Sequence, residues 1–257
     1  LDLACRMQYS LPEQYHTLSP FRDYFSTGVP ILMYHKIGPR PSRVRLKGLY
    51  VTTENFIRQL TELSEAGFSS CNPGEACTNG VTTPRIALTF DDGFRNVFEN
   101  ALAPMAQHKI TAIQFLVPTF IGKLNEWDLR DGEAAEPLMT AAQVRDWLQA
   151  GHSIGSHSLT HARLTRLSVR DAREEIFASK KKLEDEFGLA IQHFCYPYGD
   201  WNESVRDLVV EAGYRTACTT EFGINTPVTQ PLTLHRITAR HPTRTLRSLK
   251  AKLLGTA

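Results

Sequence analysis

The chain has 257 residues, 42% of them hydrophobic and 22% charged, enough to bury a substantial core as one large α/β domain or two small ones. Its formal net charge of +2 is too small to call for a nucleic-acid partner, and its longest run of like charge, Lys180-Lys181-Lys182, reads as a solvated helix face. No window is long and apolar enough for a transmembrane helix, and the opening LDLACRMQYS lacks the basic-then-apolar pattern of a signal peptide.

The compartment expected from this is the cytoplasm or the inner-membrane surface, or the periplasm if a leader has been removed; the oligomeric state stays open. Five cysteines, Cys5, Cys71, Cys77, Cys195 and Cys218, are odd in number and scattered, unlike a disulfide framework. Cys71 and Cys77 are the one pair considered for a bridge.

From residue 29 onward, apolar runs of strand length alternate with helical patterns. VPILMYH (29–35) is a strand entered from Gly28, and ENFIRQLTELSEAGF follows with Phe56, Leu60 and Leu63 at helical spacing and Gly67 as the stop. RIALTF (85–90) is a second strand, followed by a helix over 96–108, and TAIQFLV (111–117) is a third. AAQVRDWLQAG (141–151) reads as a helix and HSIGSH (152–157) as the next strand.

A charged helix spans 168–187, ended by Gly188, before the strand IQHFCYP (191–197). NESVRDLVVEAG (202–213) is helical, and YRTACTT (214–220) and LTLHRITA (232–239) are strands. Strands separated by helices of this length pair in parallel through right-handed crossovers. About seven of them predict an α/β fold with a closed or nearly closed β/α barrel over residues 29–257, preceded by an N-terminal extension over 1–28.

In such barrels chemistry sits on the loops at the carboxyl ends of the strands. Asp91 and Asp92 follow one strand in LTFDDG, His157 and His161 follow another in HSLTH, Tyr198 and Gly199 follow a third, and His35 ends the first. On a helical turn, positions four apart put both imidazoles of HSLTH on one face. Two imidazoles and one carboxylate make a facial site for a divalent ion, with Asp92 the natural third ligand.

Two adjacent carboxylates repel each other unless a cation sits beside them. With an ion present, one aspartate can bind it while its neighbour serves as a base for the water that the ion activates. Spacing alone does not say which aspartate does which. The bland alternative is two surface histidines beside an incidental acid pair.

LTFDDG, GHSIGSHSLTHARLT and FCYPYGDWN, in this order and with LMYHKIG upstream, resemble the polysaccharide deacetylases with a NodB-type domain, carbohydrate esterase family 4. The likeness covers roughly residues 29 to 240. It implies a distorted (β/α) barrel and a metal-dependent deacetylase with Asp91 as catalytic base. Asp92, His157 and His161 are then the ligands of zinc or a similar divalent ion. The YPYG form resembles the subgroup that deacetylates poly-N-acetylglucosamine.

Two positions depart from the family pattern. Where the family commonly has an arginine before the Pro-aromatic-Gly, to orient the base, this chain has Phe194, Cys195 and Tyr196; Arg236 is the expected substitute. The family's late Leu-x-His, which carries the catalytic acid, is matched by Met33-Tyr34-His35, with His235 in LTLHR the rival. Such a histidine protonates the leaving amine.

Tyr198, with Pro197 and Gly199, is expected to line the substrate groove, and its backbone N–H to help hold the oxyanion. Trp127 and Trp201 lie near motif loops and either stack on a sugar or pack. His152 is expected to be structural, and His108, His193 and His241 carry no pattern. The C-terminal RHPTRTLRSLKAKLLGTA places basic residues around Leu246, Leu249, Leu253 and Leu254, a helix that caps the barrel or makes peripheral membrane contact.

The expected function is removal of acetyl from an N-acetylhexosamine in a surface polysaccharide, lipopolysaccharide or glycan precursor. The alternatives are deformylation or deacetylation of a lipid-linked sugar, and a non-catalytic glycan-binding pseudoenzyme.

Overall fold

The strands carry apolar residues on both faces, as they must in a sheet covered by helices outside and filled within. A computed structural model describes residues 11–42, 44–78, 84–129 and 134–240. Its strands are β1 (Ile31–Tyr34), β2 (Lys36–Ile37), β3 (Tyr50–Val51), β4 (Ser69–Ser70), β5 (Arg85–Phe90), β6 (Ile113–Leu116), β7 (Ser153–Ser156), β8 (His193–Cys195), β9 (Thr216–Cys218) and β10 (Ile237–Thr238). The main sheet is parallel, in the order β10-β1-β5-β6-β7-β8-β9, with β4 beside β5 and a separate β2-β3 pair. Seven strands on one curled path match the expected architecture.

Alternation divides the core into two layers. Leu32, Tyr34, Leu88 and Phe90 point outward to the helices, where they join Phe56, Leu60 and Trp147. Ile31, Ala87, Ile113, Phe115, Cys195, Cys218 and Leu234 fill the interior. Gly155 makes room for that filling, since a Cβ there would lie 2.6 Å from the Phe115 ring.

The outer helices Thr53–Glu65, Ala141–Gln149, Val169–Phe187 and Glu203–Glu211 start at Thr52, Thr140, Ser168 and Asn202, whose side chains accept from the first-turn amides. Val169–Phe187 ends at Gly188 with φ 67°, the left-handed stop that glycine allows.

The last strand is shorter than the sequence pattern predicts. Pro231, which lacks an N–H, opens a 3-10 turn over Pro231–Thr233, and only Ile237–Thr238 pairs with β1. The sheet path runs open from β10 to β9, and an isolated bridge from Leu234 to Cys218 of β9 spans its two edges. Residues 11–28 share this core: Tyr15 bridges Ala239, and its ring packs against Phe21 and Phe25 at 5.5 and 5.8 Å.

Cys71, Cys77, Cys195 and Cys218 are all free thiols, so Cys71 and Cys77 are not bridged. Cys5 and the C-terminal stretch 241–257, with its expected basic helix and His241, lie outside the described residues. Among the described residues, no helix is long and apolar enough to cross a membrane.

His152 is structural, as expected. It is 6% exposed, accepts from the Ala112 amide at 3.2 Å and lies 4.2 Å from the Trp147 ring. Burial pushes its pKa down to about 4. The unfolded chain therefore takes up this proton first, so the contribution is complete above pH ~6.5 and is lost as pH falls towards about 4, up to roughly 3 kcal/mol. The thermal midpoint is expected to fall across that window, and His152→Gln to flatten the fall; an identical pH slope in the variant would exclude His152 as its source.

Candidate active site

The adjacent carboxylates diverge because the chain turns sharply between them. Asp91 is held to β1 through its amide, which donates to Tyr34 O at 3.0 Å. Asp92 and Gly93 follow at φ 76° and 85°, a left-handed pair that sends the two side chains to different partners.

Asp91 meets Arg236, which is 1% exposed. The guanidinium donates to both carboxylate oxygens at 2.8 Å, the bidentate geometry that suits Arg. Arg236 is itself fixed by Thr219 O at 2.7 Å, Thr89 Oγ1 at 3.1 Å and Cys195 Sγ at 3.1 Å. His35 places Nε2 3.8 Å from Asp91 Oδ2. Burial alone would raise the Asp91 pKa, but Arg236, then His157 and His35, hold it below the ordinary carboxylate value.

Asp92 faces the other way. Its Oδ1 stands 3.4 Å from His157 Nε2 and 3.2 Å from His161 Nε2, yet it is buried without a hydrogen-bond partner among the described residues. His157 Nδ1 lies 2.8 Å from Cys195 O; a carbonyl only accepts, so Nδ1 donates its proton there and Nε2 is the ring nitrogen turned to Asp92, the one that would ligate an ion.

The expected helical turn in HSLTH is absent. Ser158 and His161 adopt φ 61° and 64°, and the Ser158 hydroxyl accepts from the His161 amide at 3.1 Å. This loop brings the imidazoles together, at a ring separation of 4.9 Å.

The ligand atoms of Asp92, His157 and His161 lie within 4.8 Å of one another. Two imidazole nitrogens and an orphaned carboxylate oxygen fit a zinc-like divalent ion with open positions. Asp91, His157 and Cys195 form a second such group, but burial raises the Cys195 thiol to about 11 and Arg236 occupies Asp91. The first group is the better site.

Trp127 stacks on His161 at 4.7 Å and 25°. Tyr198 approaches the same imidazole at 4.5 Å, from a PYG turn with Pro197 buried and with φ 62° at Tyr198 and 69° at Gly199. His235 and Trp201 stand apart from this group: His235 Nδ1 is 3.6 Å from Glu221 Oε2, and Trp201 Nε1 donates to Glu221 Oε1 at 3.1 Å. His193 binds Thr216 Oγ1 at 2.8 Å, and His108 lies 3.4 Å from Thr61 Oγ1.

Sequence reasoning missed the supporting groups Thr89, Cys195 and Thr219. Thr89 offers one signal, a polar residue at a fully buried position of the strand before Asp91. The Cys195 and Thr219 carbonyls offer none, since any residue supplies them.

The sequence profile of the family described as polysaccharide deacetylase matches residues 78–217. YxkH of Bacillus subtilis, a protein named for the same family, is 26% identical over 214 residues, 81% of this chain and 70% of that protein. The peptidoglycan-N-acetylglucosamine deacetylase PgdA of Listeria monocytogenes is 27% identical over 188 residues, 72% of this chain but 35% of its own length. The crystal structure of BC0361, a polysaccharide deacetylase from Bacillus cereus, superposes with a TM-score of 0.71 at 26% identity, covering 88% of this chain and 69% of that one.

Proposed function

Because the chain belongs to the polysaccharide deacetylase family, we propose that it hydrolyses the acetamide of an N-acetylhexosamine in a surface polysaccharide, lipopolysaccharide or glycan precursor. One observation carries this reading: a buried carboxylate, Asp91, is held ionised by Arg236 beside a divergent trio of Asp92, His157 and His161.

Asp92, His157 and His161 would hold the divalent ion, zinc or a similar one. When bound, it lowers the pKa of water and polarises the amide carbonyl. Asp91 takes the proton of the attacking water. Each carboxylate oxygen has two lone-pair sites, so the bidentate arginine leaves one on Oδ2, the oxygen 3.8 Å from His35 Nε2.

His35 returns the proton to the leaving amine. Burial keeps this imidazole below its ordinary pKa, against the pull of Asp91 and Asp92. It is therefore neutral at rest, and Asp91 is its nearest source of a proton during turnover. His235 faces Glu221 instead, which favours His35 as the acid. The Tyr198 N–H is assigned to the oxyanion, and Pro197 and Gly199 shape the groove around it.

The test is a panel of defined N-acetylated glycans with the zinc-loaded protein, scored for released acetate and new amines by mass spectrometry. Turnover of at least one glycan, lost in His35→Gln and kept in His235→Gln, is expected. No acetate from any glycan overturns the reading, and loss in His235→Gln alone moves the acid to that residue.

A further inference from the structure

Beside the proposed ligand trio stands a charged ledge that the hydrolytic step does not use. The guanidinium carbon of Arg163 lies 3.8 Å from the centroid of the Tyr198 ring, and that ring stands 4.5 Å from the His161 imidazole. Arg163 is exposed, Tyr198 is 37% exposed, and among the described residues Arg163 makes no ion pair.

Two carboxylates of the adjoining segments, Asp200 and Glu175, are engaged with other partners. Asp200, two residues beyond Tyr198, accepts from Thr165 Oγ1 at 2.8 and 2.7 Å and from the Thr165 amide at 3.3 Å. Glu175 accepts from the Thr160 amide and hydroxyl at 2.9 and 2.6 Å. The Asp200–Thr165 bonds also tie the loop after β7, which carries Arg163, to the loop after β8, which carries Tyr198.

The ring is aimed by backbone rather than by chance. Tyr198 sits at φ 62°, and a Cβ at Gly199 would fall 2.0 Å from Thr220 Oγ1, so the turn admits glycine alone there. A guanidinium stacked on an aromatic face loses water from that face but keeps its N–H edge free. That edge matches a carboxylate or a phosphate bidentately.

We propose that Arg163, stacked on Tyr198, binds a carboxylate or phosphate carried by the sugar next to the one deacetylated, making the protein selective for anionic glycans. This rests on the deacetylase reading of the neighbouring site. The ledge is positive, held by two mutually anchored loops, and within reach of a substrate that spans the ligand trio.

The experiment compares three N-acetylglucosamine oligosaccharides that differ only in whether the neighbouring sugar is neutral, carboxylated or phosphorylated. The zinc-loaded protein is expected to favour a charged one by roughly 10- to 100-fold in kcat/KM, mostly through KM, with the ratio falling as salt rises. Arg163→Gln should bring that ratio close to unity.

Equal kcat/KM on all three, or an undiminished preference in Arg163→Gln, overturns the proposal. Calorimetric binding of the same glycans to Asp91→Asn separates the two readings. If nothing is turned over but the anionic glycan binds more tightly, and Arg163→Gln in that background erases the difference, the hydrolytic reading fails and the subsite stands.

Discussion

Asp91→Asn is expected to lower kcat on an N-acetylated glycan by roughly 10²- to 10⁴-fold, the usual contribution of a positioned base. The amide keeps the shape of the carboxylate but accepts no proton at neutral pH. It also leaves Arg236 with an uncompensated charge in the interior, where removing one member of a buried pair costs about 3–5 kcal/mol. Rates must therefore be normalised to folded protein, read from circular dichroism.

Arg236→Lys isolates the positioning role from the charge. Lysine keeps the charge but cannot donate bidentately to both Asp91 oxygens while also reaching Thr219 O and Thr89. Its kcat should fall with the acid limb of the pH profile displaced upward, because Arg236 is the leading influence that lowers the Asp91 pKa. Wild-type turnover and an unmoved acid limb in folded Arg236→Lys would falsify the assignment.

Chelation has the second large effect: turnover should be abolished, and restored on adding zinc. Asp92 Oδ1 is a buried acceptor with no partner among the described residues, facing two imidazoles whose nearest nitrogens lie 3.4 and 3.2 Å away. An ion there satisfies that oxygen, and by mass action it stabilises the folded state by about 4 kcal/mol at a thousandfold excess over Kd. The melting temperature should rise with zinc in the wild type and stay flat in His157→Ala. Full activity after exhaustive chelation, with no zinc-dependent thermal shift, would remove the ion from the mechanism.

The strands and helices were legible because burial on two faces leaves continuous apolar runs and burial on one face leaves a helical stripe. VPILMYH and RIALTF became β1 and β5, and the charged 168–187 pattern became Val169–Phe187. Local rules failed where the backbone leaves its usual regions. The i,i+4 histidines of HSLTH suggested a helical turn, but left-handed residues at Ser158 and His161 bring the rings together.

Pro231 shortened the last strand by starting a 3-10 turn. The interior role of Tyr15, Phe21 and Phe25 was not visible, because residues 11–28 have no regular period of their own and gain one partner strand only through Tyr15 and Ala239. The contact between Arg236 and Asp91 spans 145 positions, a separation on which no spacing rule bears; Arg236 is expected there only because the family resemblance calls for an arginine that the third motif, FCYPYGDWN, lacks.

The profile match at 78–217 holds Asp91, Asp92, His157, His161 and Tyr198, but neither His35 nor Arg236. Those two stand at the end of β1 and just before β10, strands that pair with each other through Leu32 and Ile237. The segment matched by the profile thus holds only part of the proposed site: it presents the carboxylates and imidazoles, while His35 and Arg236, which flank Asp91, come from outside it. A domain boundary drawn at the limits of the profile match would cut through the proposed active site, and a fragment trimmed to it would keep Asp92, His157 and His161 but lose both Arg236 and His35.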